Sequence, residues 1–311
     1  MEKILEIQNL SKDYETGFWK KKKVRALDGL NLAVGEGQIF GFLGGNGAGK
    51  TTTIKLLMRL LYPTDGSASI LGRRIDEVEM HREIGYCPEN PYFYDYLTPL
   101  ELFDYFGRLF DLDAKKRKAK TEELLTSVGL EERDWNKQLR KFSKGMLQRV
   151  GLAQSLINNP KIVFLDEPMS GLDPIGRREI RELIAGLPAK GTTVFMSTHI
   201  LSDAEALCDE VAILRRGQLA AAGKLHELLS ESHEHESFEI VVTNADAEKL
   251  IQALDGQAQL EQRSVDTLMI VNSEGQIDDV LRAARDAGGK LISINPIRHS
   301  LEDLFIAQTK E

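Results

Sequence analysis

Gly44-Gly45-Asn46-Gly47-Ala48-Gly49-Lys50-Thr51-Thr52 follows the strand-like run Gln38-Ile39-Phe40-Gly41-Phe42-Leu43 and leads into the helix-like Lys55-Leu56-Leu57-Met58-Arg59-Leu60. A triphosphate brings several negative charges against the backbone, and residues without side chains let consecutive N–H groups curl around it. Gly44, Gly47 and Gly49 supply that freedom, with Gly45, Asn46 and Ala48 completing the loop. Lys50 places an ammonium toward the terminal phosphates, the Thr51 hydroxyl is placed for Mg2+, and the helix that Thr51 and Thr52 open aims its positive end at the anion. A ligand-free glycine-rich turn is the competing reading. The full G-x-x-x-x-G-K-T match between strand and helix weighs against it.

Further along, Ile162-Val163-Phe164-Leu165 reads as a buried parallel strand ending in Asp166-Glu167-Pro168. Alone, two acids after a strand are solvated loop residues. Joined to the phosphate cradle they divide labour, Asp166 on Mg2+ and Glu167 on the attacking water. Between these elements lies Phe142-Ser143-Lys144-Gly145-Met146-Leu147-Gln148-Arg149, with Ser143 at an N-cap position. It fits an ordinary capped core helix and a second anion-binding surface equally well.

These segments together resemble the ATP-binding subunits of ABC transporters. Residues 142–149 are similar to that family's signature, Ser170-Gly171-Leu172-Asp173 to its D-loop, and His199 in Ser197-Thr198-His199 to its switch histidine, in matching order over residues 1 to about 225. The resemblance implies an α/β P-loop ABC ATPase cassette that hydrolyses ATP with Mg2+ as a head-to-tail dimer with a second copy of itself or a homologous cassette. Ser143 and Gly145 then act across the dimer on the other copy's nucleotide, and Asp173 of the D-loop is counted among the nucleotide-binding residues. Tyr14 occupies the position that stacks on adenine, a strand-end tyrosine in a turn being the alternative, and His199 contacts the γ-phosphate. Three residues depart from the family pattern: Gly45 stands where proline is common, Lys144 and Met146 alter the signature, and Glu89 replaces the usual glutamine in Ile84-Gly85-Tyr86-Cys87-Pro88-Glu89. Glu89 could still bind Mg2+ but adds negative charge beside Asp166 and Glu167.

The 311 residues leave room for one large and one small domain, and 40 basic against 48 acidic residues argue against a nucleic-acid partner. Two unpaired-motif cysteines, Cys87 and Cys208, fit a reducing compartment. The charged start Met1-Glu2-Lys3 is no signal peptide, and no apolar run approaches the roughly 20 residues that span a bilayer, so a membrane role goes through a partner.

Alternating strand and helix patterns predict a nucleotide-binding domain over residues 1–229 with a largely parallel sheet and a helical insert at about 98–160. A polar linker at 230–237 follows, then a small α+β domain over 238–311 with strands at 238–243, 267–271 and 291–294 and helices at 247–254, 277–287 and 300–305. That domain resembles the accessory C-terminal domain of exporter-type bacterial ABC ATPases. Lys20-Lys21-Lys22-Lys23 after Phe18-Trp19 reads as a solvated hairpin loop or a lipid-headgroup contact. Tyr92, Phe93, Tyr94 and Tyr96 fall where the family receives its membrane subunit. Phe93, Leu97 and Leu102 line that groove or belong to the insert's core. The expectation is an ATPase at the cytoplasmic face of the inner membrane driving export through a separate permease. The other class, an ABC ATPase acting on nucleic acid or ribosomes, usually carries a long coiled coil or tandem cassettes, and neither is present.

Overall fold

Two compact units, residues 1–225 and 226–311, divide the chain in the computed structural model, which describes residues 2–17, 22–230, 237–254, 258–263, 266–296 and 301–302. The first unit begins with two long strands, β1 (Lys3–Thr16) and β2 (Lys22–Gly35), followed by β3 (Ile39–Leu43) and helix α1 (Lys50–Leu57). Then come β4 (Asp65–Ile70), β5 (Arg73–Arg74) and β6 (Ile84–Cys87), and the helices α2 (Pro99–Leu109), α3 (Ala114–Ser127) and α4 (Lys144–Gln154). The unit closes with β7 (Ile162–Asp166), α5 (Pro174–Ala185), β8 (Thr193–Thr198), α6 (Leu201–Leu207), β9 (Glu210–Arg215) and β10 (Gln218–Lys224), with α7 (Leu225–Ser230) at the division.

The site is set by one six-stranded sheet of order β10-β9-β3-β8-β7-β6. All its pairs are parallel except β10 with β9. β3, β7 and β8 are buried at every residue, which is why β3 and the first four residues of β7 do not alternate apolar with polar side chains. Phe195 fixes their stacking, with ring centroids 5.5 Å from Phe40, 5.3 Å from Phe42 and 5.4 Å from Phe164. The register sets Asp166 opposite Ser197 and Leu43 opposite Thr198, so three strand ends deliver their loops to one place.

The expected parallel sheet is therefore accompanied by a second, antiparallel one of order β2-β1-β4-β5. β2 alternates buried and exposed residues over its second half, because one face packs on the core and the other meets solvent. Three capped helices fill the stretch between β6 and β7. Thr98 and Glu101 form a reciprocal capping box ahead of Pro99, Asp113 caps α3 through Lys116 N–H, and Ser143 caps α4 through Met146 N–H.

The second unit runs β11 (Phe238–Thr243), α8 (Ala247–Leu254), β12 (Gln259–Arg263), β13 (Asp266–Val271), α9 (Ile277–Asp286) and β14 (Lys290–Pro296). Its sheet, order β12-β13-β11-β14, is antiparallel at every pairing. This β-α-β-β-α-β path is the split, ferredoxin-like arrangement. Ile240, Val242, Leu250, Met269 and Val280 are fully buried in its core. Of the expected helix at 300–305 only residues 301 and 302 are described, both helical, and most of the linker and half of the lysine run, Lys20 and Lys21, lie outside the described residues.

Candidate active site

The loop after β3 forms a cleft lined by Ala26, residues 45–52, Glu89, Glu167 and His199. Gly47 and Gly49 have φ of +78° and +111°, the left-handed backbone that the loop's curl requires and glycine tolerates best. Gly44 is there for a different reason than the sequence suggests. Its φ is not positive and it does not line the cleft, but a Cβ would lie 2.6 Å from the Leu214 carbonyl oxygen on neighbouring β9. Gly45, by contrast, has open space around it.

Lys50 is buried. Its Nζ donates to the Gly44 carbonyl at 2.7 Å and lies 3.3 Å from Glu167 Oε1. Glu167 Oε2 in turn lies 2.8 Å from His199 Nδ1, so the carboxylate is fixed between an ammonium and an imidazole. The Glu167 backbone has φ +50°, an uncommon conformation for a residue with a side chain, and its N–H donates to the Ser197 carbonyl and hydroxyl at 3.2 and 3.1 Å.

Asp166, 1% exposed, accepts from the Ser197 hydroxyl at 2.5 Å, and its Oδ1 lies 3.3 Å from the Thr51 hydroxyl. Ser197 thus joins both acids of the strand end, a role the sequence reading did not assign. Its signal is the polar pair Ser197-Thr198 after the apolar Val194-Phe195-Met196, but the partners become visible only with the β7–β8 register. Ala26, at the cleft wall, carried no sequence signal at all. The Thr51 hydroxyl and the Asp166 carboxylate are hard oxygen donors on adjacent elements, and Glu89 faces the same cleft. Their chemistry fits Mg2+, which is typically held by one or two carboxylates together with phosphates. Among the described residues no three His, Cys, Asp or Glu side chains gather into an all-protein cage.

Tyr14 does not line this cleft. It stands beside it on β1, its hydroxyl 3.4 Å from that of Thr52, with Lys12 Nζ 5.5 Å from its ring centroid. Ser143, Gly145 and Asp173 are not in the cleft either. They line a second one with Lys144, Met146, Arg149, Gly171 and Leu172, and the two clefts share no residue. Asp173 caps α5, accepting from Gly176 N–H at 2.7 Å. Of the expected groove residues, Leu102 is 1% exposed and belongs to the core of the helical region, while Phe93 and Leu97 are half-buried and Tyr92 is 94% exposed. Burial pushes the thiols of Cys87 and Cys208 up to about 12 each.

The family model described as "ABC transporter" matches residues 27–170. An uncharacterized ABC transporter ATP-binding protein of Synechocystis is 43% identical over 99% of this chain and 85% of its own length. A bacitracin transport ATP-binding protein of Enterococcus faecalis is 31% identical over 98% of this chain and 96% of its own. Among solved structures, a dimeric ATP-binding cassette in a post-hydrolysis state with ADP and Pi is 28% identical, with a TM-score of 0.66, over 71% of this chain and 98% of that one.

Proposed function

Because the chain belongs to the family of ABC transporter ATP-binding subunits and carries its ATPase cassette, we propose that it works as a head-to-tail dimer driving export through a separate membrane permease. The observation that carries the catalytic part is Glu167 held between Lys50 and His199 at the mouth of the phosphate loop. In this reading Lys50 and the loop N–H groups bind the phosphates, Glu167 takes a proton from water and His199 orients Glu167 toward it. Thr51, Asp166 and Glu89 would hold Mg2+, which when bound offsets phosphate charge. Tyr14 supplies a π-face for adenine.

The dimer is supported by the separation of the clefts. Ser143 can still donate its hydroxyl hydrogen while capping α4, yet it lies away from its own phosphate loop, so it would act with Gly145 and Asp173 on the nucleotide of a second copy. Export is supported by the second unit's resemblance to the accessory domain of exporter-type ATPases. Among the described residues no helix is long and apolar enough to cross a membrane, in keeping with a subunit placed at the cytoplasmic face by its permease.

Glu167→Gln tests the reading. It should slow turnover about 10²–10⁴-fold while sparing ATP affinity, since the amide keeps the side chain's shape and leaves Lys50 for the phosphates but cannot take the proton. With ATP trapped, the variant should run as a dimer on size exclusion. Wild-type turnover would place the base elsewhere, and a monomer with ATP bound would refute the head-to-tail assembly.

A further inference from the structure

We propose that Asp203 is a positioning residue that links the reacting end of the nucleotide cleft to the second cleft of the same chain, so that the two nucleotides of a dimer are hydrolysed cooperatively. The inference rests on the head-to-tail reading above.

Asp203 lies in the first turn of α6, four residues past His199. Its side chain is 2% exposed, and a carboxylate at that depth must be paired. Its Oδ2 accepts from Arg177 Nη2 at 3.2 Å and its Oδ1 from Arg181 Nη2 at 3.0 Å. Both arginines stand on α5, four residues apart, so one buried acid grips two successive turns of the neighbouring helix. The Nε atoms of both arginines are buried and make no hydrogen bond. Such an arrangement is a poor way to add stability, because well-packed apolar side chains at a buried ion-pair site are often as stable or more so. What it adds is direction: two oriented bonds fix the angle of α6 against α5.

Each end of this joint leads to a cleft. On one side, Asp203 N–H donates to the Ile200 carbonyl at 3.2 Å and Ile200 N–H to the Thr198 hydroxyl at 3.0 Å, next to His199 and its bond to Glu167. On the other, α5 is capped by Asp173, preceded by Gly171 and Leu172. A Cβ at Gly145 would come within 3.2 Å of Leu172 Cδ2, and one at Gly171 within 3.0 Å of Lys144 Nζ. A shift of His199 therefore reaches the residues that face a second copy's nucleotide by tilting one helix against another.

The test uses the full chain, with ATPase rate against ATP concentration, equilibrium binding of a fluorescent ATP analogue, and a thermal melt. Asp203→Asn should lower kcat about ten- to a hundredfold with the analogue's Kd within about twofold, since displacement of a remote support perturbs chemistry more than binding. The Hill coefficient, which can reach the number of coupled sites, should fall to about one. Asp203→Glu should recover part of both. Unchanged kcat and Hill coefficient in Asp203→Asn, whatever the melt shows, would reduce Asp203 to a staple and overturn the proposal. If Asp203→Asn does not fold, Arg181→Lys keeps the charge and loses the fork, and an unchanged Hill coefficient there is equally decisive. A wild-type chain with non-cooperative turnover and no ATP-dependent dimer of Glu167→Gln would mark failure of the head-to-tail reading itself, and this inference falls with it.

Discussion

Removing one hydroxyl, by Ser197→Ala, should weaken both stability and turnover, and the distances say by how much. The Ser197 Oγ donates to Asp166 at 2.5 Å, a bond to a charged acceptor in a fully buried position, worth about 1.5–3 kcal/mol when the acceptor is left behind. Its second bond, from Glu167 N–H at 3.1 Å, adds little, because that amide keeps the Ser197 carbonyl at 3.2 Å. Asp166 keeps the Thr51 hydroxyl at the longer distance of 3.3 Å. The net loss is about 2 kcal/mol, or about 4–8 °C in Tm for a unit of this size. Far-UV circular dichroism reads the melt, and the ATPase rate should fall about tenfold as Asp166 and Glu167 lose their shared anchor. Ser197→Cys, with its weak donor, should fall between. A Tm within about 2 °C of wild type together with unchanged kcat would refute the idea that this hydroxyl organises the acids.

The glycine loop gives a paired prediction. Gly44→Ala should cost about 1–3 kcal/mol by denaturant titration, since its Cβ meets the Leu214 carbonyl, whereas Gly45→Ala should stay within about 0.5 kcal/mol; equal effects would contradict the assigned contact. With both thiols pushed up to about 12, native Cys87 and Cys208 should resist iodoacetamide at pH 8.5, where a free thiol is half ionised. Label incorporation read by mass spectrometry before unfolding would count against that burial. The unfolded thiols ionise near 8.5 while the folded ones do not, so their contribution to stability is intact below that pH and is lost as pH climbs toward about 12.

What was legible in the sequence is chemistry carried by neighbours along the chain. Gly49-Lys50-Thr51 and Asp166-Glu167 stand out as candidates because phosphate and metal chemistry would call for those residues at fixed spacing beside a strand. The fully buried β3 and β7 were readable from apolar runs, and β11 from its alternation. What escaped depends on adjacency across the chain. Ser197 matters through the β7–β8 register, Asp203 through a helix packed beside its own, and Gly44 through the strand running past it. Strand β12, Gln259-Leu260-Glu261-Gln262-Arg263, has too few apolar residues to show a period. It lies at a sheet edge, where polar and charged side chains are common.

The left-handed backbone at Glu167 has a consequence for any attempt to harden this protein. The conformation costs roughly 1 kcal/mol or more for a residue with a Cβ, and asparagine or glycine would relieve it. A library sorted for survival of heating alone is thus drawn to position 167, where each gain in robustness discards the carboxylate proposed to accept the proton.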